Sequence, residues 1–440
     1  MMHSAASRAA RILGTIKSNT ALLFWDPERF GRNLLQVTNP RLFEQRLVDI
    51  MNAVPMHVRV DPAPDAPVRL NVLDSAWSKS GMTGGPNTVI NLALRVAQRG
   101  IPVRLISTVQ AATIDPAWFR NHAGSLLGGP DVPEISIATA ADPNNPLPLG
   151  HRDVFLATHW STAQQLKPVL PQLPIREFFY MLQEFEPAFY PWSGNFALAL
   201  ETYGMDFWPI INEAMLADYL FSQPLGRLMD GVIRDRAVVF EPAVDKDVFF
   251  VGPPDARPRP KRLLFYARPT NTRNMFGLGL MALRHAAASP AFAGWEFLSI
   301  GSRGSVPDLQ LGHGHVLRRA PWVDYAGYGD LLRQADLLFC PMLSPHTSYP
   351  VLEMAACGGF SVTNTFATKT QGKIAALSPN IIAVEPTLEG FAAGLVEAAG
   401  KVADGLPRHS ALNMARDWAA TLDPAASRVV DIIRSMQGAM

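Results

Sequence analysis

Two stretches of this chain share one grammar. A short apolar run leads into a polar or glycine-bearing loop, then a segment of helical periodicity, then another apolar run. The first stretch begins at residues 69–73 and passes through Gly81-Met82-Thr83-Gly84-Gly85-Pro86. Val89, Leu92, Ala93 and Val96 follow at helical spacing, and Gly100 stands where a helix closes. Further strands are expected at 103–106, 154–157, 178–182 and 238–240. The second stretch predicts strands at 262–266, 297–300 and 337–340, with helices over 275–288 and 328–335 and another opening at 351–356. Alternating strands and helices imply parallel sheets covered on both faces. Between the two stretches, residues 251–260 carry four prolines, which suits an extended, semi-rigid connection. The expectation is therefore α/β: two doubly wound domains, with ligands bound in the cleft at the carboxyl ends of their strands.

Composition agrees with two cores. At 440 residues the chain exceeds what one hydrophobic core holds. With 48% hydrophobic and 18% charged residues it is no disordered chain. Lys and Arg total 39 against 38 Asp and Glu, so no global charge draws it to nucleic acid. Two cysteines, Cys340 and Cys357, exclude a disulfide scaffold and read as inert packing residues. No apolar run reaches the roughly 18 residues of a membrane span, and no signal peptide is expected, so a cytoplasmic setting fits.

Residues 1–60 are the exception, with eight Lys and Arg against four Asp and Glu. Ala9, Ile12, Leu13 and Ile16 recur at helical spacing. A basic amphipathic helix fits the inner face of the cell membrane; a helix packed on the body or on a second copy in a homodimer is favoured, because four excess charges are few for anchoring. The last periodic segment is 426–436.

Several residues are candidates for chemistry. The Gly84-Gly85 loop offers amides at a helix start, suited to an anion, or is a plain strand-to-helix turn. It is neither G-x-G-x-x-G nor a phosphate loop with its lysine, and no acidic residue follows Ile106-Ser107-Thr108, so a nicotinamide oxidoreductase is disfavoured. Arg268 and Arg273 leave the carboxyl end of a strand, where planar guanidinium forks match phosphate oxygens. Pro350 suits the first position of a helix. The amides of Ser348, Tyr349 and Val351 are then expected at the cleft, with the positive helix end behind them. Glu353 either complements that dipole or accepts ligand hydroxyls. Phe189, Tyr190 and Trp192 read as a sugar-stacking platform or as core aromatics, and His159 as a cleft or a structural histidine. His313 and His315 lack a third ligand nearby, so no metal is expected.

These residues resemble a known family. The segment from Gly84-Gly85-Pro86-Asn87 to Gly100, the Val244-Asp245-Lys246-Asp247-Val248-Phe249 loop and the Tyr349-Pro350-Val351-Leu352-Glu353 helix look like GT-B glycosyltransferases of the family 4 type. Closer still, Glu184-Phe185-Glu186-Pro187-Ala188-Phe189-Tyr190-Pro191-Trp192 and Tyr266-Ala267-Arg268-Pro269 with Arg273-Asn274 are similar to the WsaF-type bacterial rhamnosyltransferases. That resemblance implies GT-B architecture, two Rossmann-like domains facing across a cleft. The divisions would be an N-terminal helical extension at 1–62, an acceptor domain at 63–250, a donor domain at 251–420 and a terminal helix at 421–440 that packs back on the first domain. It implies transfer of L-rhamnose from dTDP-L-rhamnose to a glycan or lipid-linked glycan in surface polysaccharide synthesis, without cofactor or metal.

By the same resemblance, Arg268 and Arg273 match the basic groups on the donor diphosphate, and Glu353 the ribose ligand. Gly84 and Gly85 match the loop near the phosphates, joined at the donor site by Ser348, Tyr349 and Val351. His159 and Glu184 join the arginines as catalytic candidates, and Glu186, Tyr190 and Trp192 are acceptor-binding candidates. Many relatives carry a further Glu where this chain has Pro345, with His346 beside it. The other reading is a two-lobed binding protein without catalysis.

Overall fold

The computed structural model describes residues 55–438 except 62–66, 83, 254–258, 303–306 and 406–408, together with helical positions 12–14, 16, 17, 30, 31, 34 and 38. Most of the expected extension, and the middle of the Pro-rich connection, lie outside the described residues.

The first lobe contains β1 (Val58–Val60), β2 (Arg69–Asp74), β3 (Val103–Ser107), β4 (Ile135–Thr139), β5 (Leu147–Leu149), β6 (Asp153–Ala157), β7 (Phe178–Leu182), β8 (Phe207–Asn212) and β9 (Val238–Phe240). Seven of them form a parallel sheet in the order β4-β3-β2-β6-β7-β8-β9, while β1 pairs with β5 apart from it. Every residue of β7 is buried, as a parallel strand covered on both faces requires. Helix α1 (Gly84–Gln98) starts directly from the glycine loop, with Gly84 at φ +30°. It buries Val89, Leu92, Ala93 and Val96 on the sheet and closes at Gly100, whose φ of +86° favours glycine. Helix α2 (Trp160–Leu166) starts at the end of β6.

The second lobe contains β10 (Arg262–Tyr266), β11 (Glu296–Ile300), β12 (Leu309–Gly312), β13 (His315–Arg319), β14 (Leu337–Phe339), β15 (Phe360–Asn364) and β16 (Ile381–Val384). Their order is β12-β13-β11-β10-β14-β15-β16, parallel except for the antiparallel β12–β13 pair. Helices α3 (Phe276–Ala287), α4 (Tyr325–Arg333) and α5 (Tyr349–Ala356) follow β10, β13 and β14. Two doubly wound parallel sheets with flanking helices make this the GT-B architecture.

The final helix, α6 (Trp418–Gly438), belongs to the first lobe's core. Its Leu422, Val429, Val430 and Ile433 share one apolar cluster with Leu92 and Val96 of α1. Arg95 adds an ion pair to Asp423 at 2.7 Å. The chain thus crosses between lobes twice, and the crossings touch. Val244 N–H donates to the Ala415 carbonyl at 3.0 Å, and Arg416 Nε to the Val244 carbonyl at 2.9 Å.

The lobes meet across their strand ends. Asn212 Nδ2 donates to the Tyr349 hydroxyl at 2.7 Å, and Thr347 N–H to Glu213 Oε1 at 2.7 Å. The Thr368 hydroxyl donates to the Met215 carbonyl at 2.7 Å, and Lys373 pairs with Asp218 at 2.6 Å.

Candidate functional site

The second lobe's contribution gathers around Tyr266, at the carboxyl end of β10. The Arg268 guanidinium lies 6.0 Å from the Tyr266 ring centre. Arg268, with Glu353 from α5, acts electrostatically on that phenol, and Arg273 feels the same tyrosine. Glu353 is a solitary carboxyl in an apolar setting. Burial pushes it up to about 8, and only the Tyr328 hydroxyl alongside opposes this. Two arginines and a buried carboxyl, from separate elements, thus act on one tyrosine.

Arg273 is engaged across the cleft. Its guanidinium stacks 4.5 Å over the Phe189 ring and makes an ion pair with Glu184 of the first lobe. The other oxygen of Glu184 accepts from the Ser344 hydroxyl. Burial holds Arg273 below the usual arginine range, and Glu184 opposes that shift. Arg273 Nε is buried without a partner. Beneath them lies Lys369, fully buried and donating to the Met342 carbonyl at 2.8 Å. Burial pulls it down to about 8 against the attraction of Glu184.

The loop before α5 differs from expectation in one respect. Ser348 does not present a free amide, because its N–H donates to His346 Nδ1 at 3.0 Å. No side chain caps the helix, so the first turn at Tyr349 and Val351 retains its orphan donors. His346 Nε2 faces Glu213 at 3.8 Å. A carboxylate therefore stands by this turn after all, supplied from the opposite lobe rather than from position 345.

On the first lobe, a cavity of about 280 Å³ opens at the ends of β2, β6 and β7. Asp74, Thr158, His159 and Gln183 line it, with Pro86 and Val89 of α1. His159 caps α2, its Nδ1 accepting the Ser161 N–H, and its ring stacks on Phe189 at 6.2 Å. Burial pushes its imidazole down to about 4, so it is neutral at pH 7. Gly85 packs on Gln183, whose Nε2 donates to the Gly85 carbonyl at 3.2 Å.

The acceptor-binding candidates separate. Glu186 is 4% exposed, and one of its oxygens accepts both the Trp160 N–H at 2.6 Å and the Tyr180 hydroxyl at 3.0 Å. Burial raises it to about 8, with those two donors opposing. It braces the turn into α2 and offers no free surface to a ligand, which corrects its reading as an acceptor residue. The Tyr190 hydroxyl accepts from Trp160 Nε1 at 3.0 Å, leaving its ring half-buried. Trp192 is 95% exposed and stacked on Phe196, so it is no core aromatic. Cys340 and Cys357 are buried, and burial pushes both thiols up to about 12.

Sequence reasoning passed over Asp74, Gln183, Ser344, Lys369 and Glu213. Asp74 and Glu213 do carry a signal, a lone acid closing an apolar strand. Lys369 sits in Thr368-Lys369-Thr370 with none.

Fold and site together define a GT-B protein with a cation-lined cleft. Residues 69–212 match the profile of the WsaF N-terminal domain and residues 261–396 that of the WsaF C-terminal domain, together more than half of the chain. The chain belongs to the WsaF-type GT-B glycosyltransferases. It is 32% identical over 286 residues to the O-antigen biosynthesis protein RfbC of Myxococcus xanthus, an alignment covering 62% of this chain and 20% of that protein. The aligned region thus spans about a fifth of that relative's length. Among solved structures, sucrose-phosphate synthase from Thermosynechococcus elongatus is similar with a TM-score of 0.54 at 12% identity, over 85% of this chain and 100% of that one. Anabaena HepE in complex with UDP-glucose is similar with a TM-score of 0.51 at 15% identity, over 84% of this chain and 98% of that one. These likenesses concern the fold.

Proposed function

We propose that this chain transfers a sugar from a nucleoside diphosphate to a glycan acceptor in surface polysaccharide synthesis, with dTDP-L-rhamnose as the favoured donor. The observation that carries the reading is the convergence of Arg268, Arg273 and Glu353 around Tyr266. Glycosyl transfer expels a diphosphate while the sugar gains oxocarbenium character. Fixed positive groups that meet the growing phosphate charge lower that barrier. Arg268, Arg273 and the open first turn of α5 are such groups, and no metal is required of them. Glu353 holds the ribose, and the Gly84-Gly85 loop lies toward the phosphates. The donor occupies the second lobe and the acceptor the first. Closure excludes water that would otherwise hydrolyse the donor.

Rhamnose as the sugar rests on the WsaF-type membership, and polysaccharide synthesis on the same membership with the RfbC relative's name. Among the described residues no helix is long and apolar enough to cross a membrane. The reaction is assigned to the cytoplasm, with residues 1–60 as the contact to the membrane's inner face or to a second copy.

The test is a thermal-shift panel of dTDP, dTDP-L-rhamnose, UDP-glucose and GDP-mannose on the full chain. A ligand bound only by the native state adds about 2.7 kcal/mol of stability at a hundred times its dissociation constant. The largest rise is expected with the dTDP compounds. A flat response to all four overturns the reading.

A further inference from the structure

Lys369 carries a charge into the floor of the cleft and makes no ion pair among the described residues. It follows β15 in a turn where its N–H donates to the Phe366 carbonyl at 2.9 Å, and it is 0% exposed. An ammonium has three donors. Among the described residues one is used, on the Met342 carbonyl. That carbonyl is satisfied without it, since it also accepts from Asn364 Nδ2 at 3.0 Å and from the Ser344 N–H at 2.9 Å. Asn364 Oδ1 takes the Met342 N–H at 2.7 Å as well, so the loop at Met342 is strapped without the lysine. Burying a charge is expensive, and an apolar side chain of similar length would fill the same space at lower cost. What the ammonium adds is its charge.

Three groups face that charge: Glu184 from the loop after β7, Cys340 after β14 and Glu213 after β8. Burial pushes the Cys340 thiol up to about 12, so it is neutral. Glu213 already accepts the N–H and the hydroxyl of Thr347. Glu184 is placed differently. Its Oε1 accepts from the Ser344 hydroxyl and the Phe185 N–H, whereas its Oε2 has Arg273 alone among the described residues. In the proposed donor complex the diphosphate claims Arg273. Glu184, 7% exposed, is then left with a bare carboxylate oxygen. Stranding one member of a buried ion pair is strongly destabilising.

We propose that Lys369 is a positioning residue that takes over Glu184 when a bound diphosphate takes Arg273. In the empty cleft Glu184 is shared between Arg273 and Ser344. In the donor complex the Lys369 ammonium, with its two unused donors, supplies the counter-charge, and Arg273 is released without stranding a carboxylate. The role rests on the transferase reading for the identity of the anion, but not for the exchange, which any anion that claims Arg273 sets off.

A double-mutant cycle on the full chain tests this, with calorimetric titration of dTDP and, separately, of inorganic pyrophosphate. Wild type, Lys369→Met, Glu184→Gln and the double variant are compared, with melting curves as the control for folding. Lys369→Gln, which still carries an N–H donor, runs through the same cycle as a second neutral variant. With Glu184 present, loss of the lysine is expected to weaken dTDP binding about tenfold. In the Glu184→Gln background, where no carboxylate can be stranded, the same replacement is expected to weaken it less than about twofold. Equal losses in the two backgrounds overturn the exchange by making Lys369 a structural strap or a direct ligand, and leave the transferase reading standing. No loss in either background overturns it too. The expected cycle seen with pyrophosphate, in a chain that binds no dTDP, upholds the exchange and sinks the transferase reading alone. A wild type that binds neither anion overturns both.

Discussion

Arg268 and Arg273 look alike in the sequence but face different circumstances. Arg268 rests on Tyr266 and makes no ion pair among the described residues, whereas Arg273 is held by Glu184. Replacing Arg268 with Ala is expected to remove about 2–4 kcal/mol of transition-state stabilisation, read as a fall in kcat/KM with the true donor. Turnover near the wild-type value would refute its role at the diphosphate. For Glu353→Gln, calorimetry is expected to show weaker dTDP binding in a folded protein, and an unchanged affinity would remove the ribose assignment. Glu186 is the counterexample, an acid whose surroundings make it structural. Its folded pKa, raised to about 8, exceeds the ordinary carboxyl value, so the native state binds more protons than the unfolded one across the interval between them. Stability is therefore lost as pH rises through that interval. Glu186→Gln is expected to flatten the decline in melting temperature between pH 5 and pH 8, and an identical pH slope in both proteins would disprove the shift. Residue types and spacing singled out Arg268, Arg273, Glu353 and His159 as candidates. They could not reveal that Glu186 braces the turn into α2 while Glu184, also buried, reaches Arg273 and Ser344 of the second lobe, because both depend on contacts between distant segments.

At the scale of elements, strands with unbroken apolar character were the most readable. β7, β9 and β10 match the expected bounds of 178–182, 238–240 and 262–266. Helix α4 begins three residues before the expected 328, because Asp324 caps it by accepting the Gly327 N–H. Strands β1, β4, β5, β8, β12, β13, β15 and β16 were not foreseen. Pro209 interrupts β8, a pattern that ordinarily argues against a central strand. β4 lies at the sheet edge and is only partly buried, which weakens its apolar signature. Helix α6 was expected within 421–440, with its periodic segment at 426–436, and begins at Trp418. Ile433, fully buried in the first lobe's core, is expected to cost about 2–5 kcal/mol when replaced by Ala, measured by urea unfolding. A loss below about 0.5 kcal/mol would mean that α6 is loosely docked.

For the whole molecule, the described arrangement is closed, with Glu184, Asn212, Glu213 and Asp218 of the first lobe all bonded to the second. In the proposed donor complex, Glu184 competes with the diphosphate for Arg273. Glu184→Ala is expected to enlarge the radius of gyration of the ligand-free chain in X-ray scattering, and added dTDP to shrink it again. An unchanged radius would show that the other contacts suffice to hold the lobes together. Little of this was visible from sequence, because lobe-to-lobe contacts join residues 89 to 160 positions apart with no shared motif. The paired crossings at Val244 and Ala415 limit what such opening can be. A body hung from one thread can swivel freely, whereas one hung from two adjacent, mutually bonded threads can only rock, like a jaw. Substrates must then enter and leave from the side opposite those threads, so a bulky label near residue 415 should leave traffic through the mouth unobstructed.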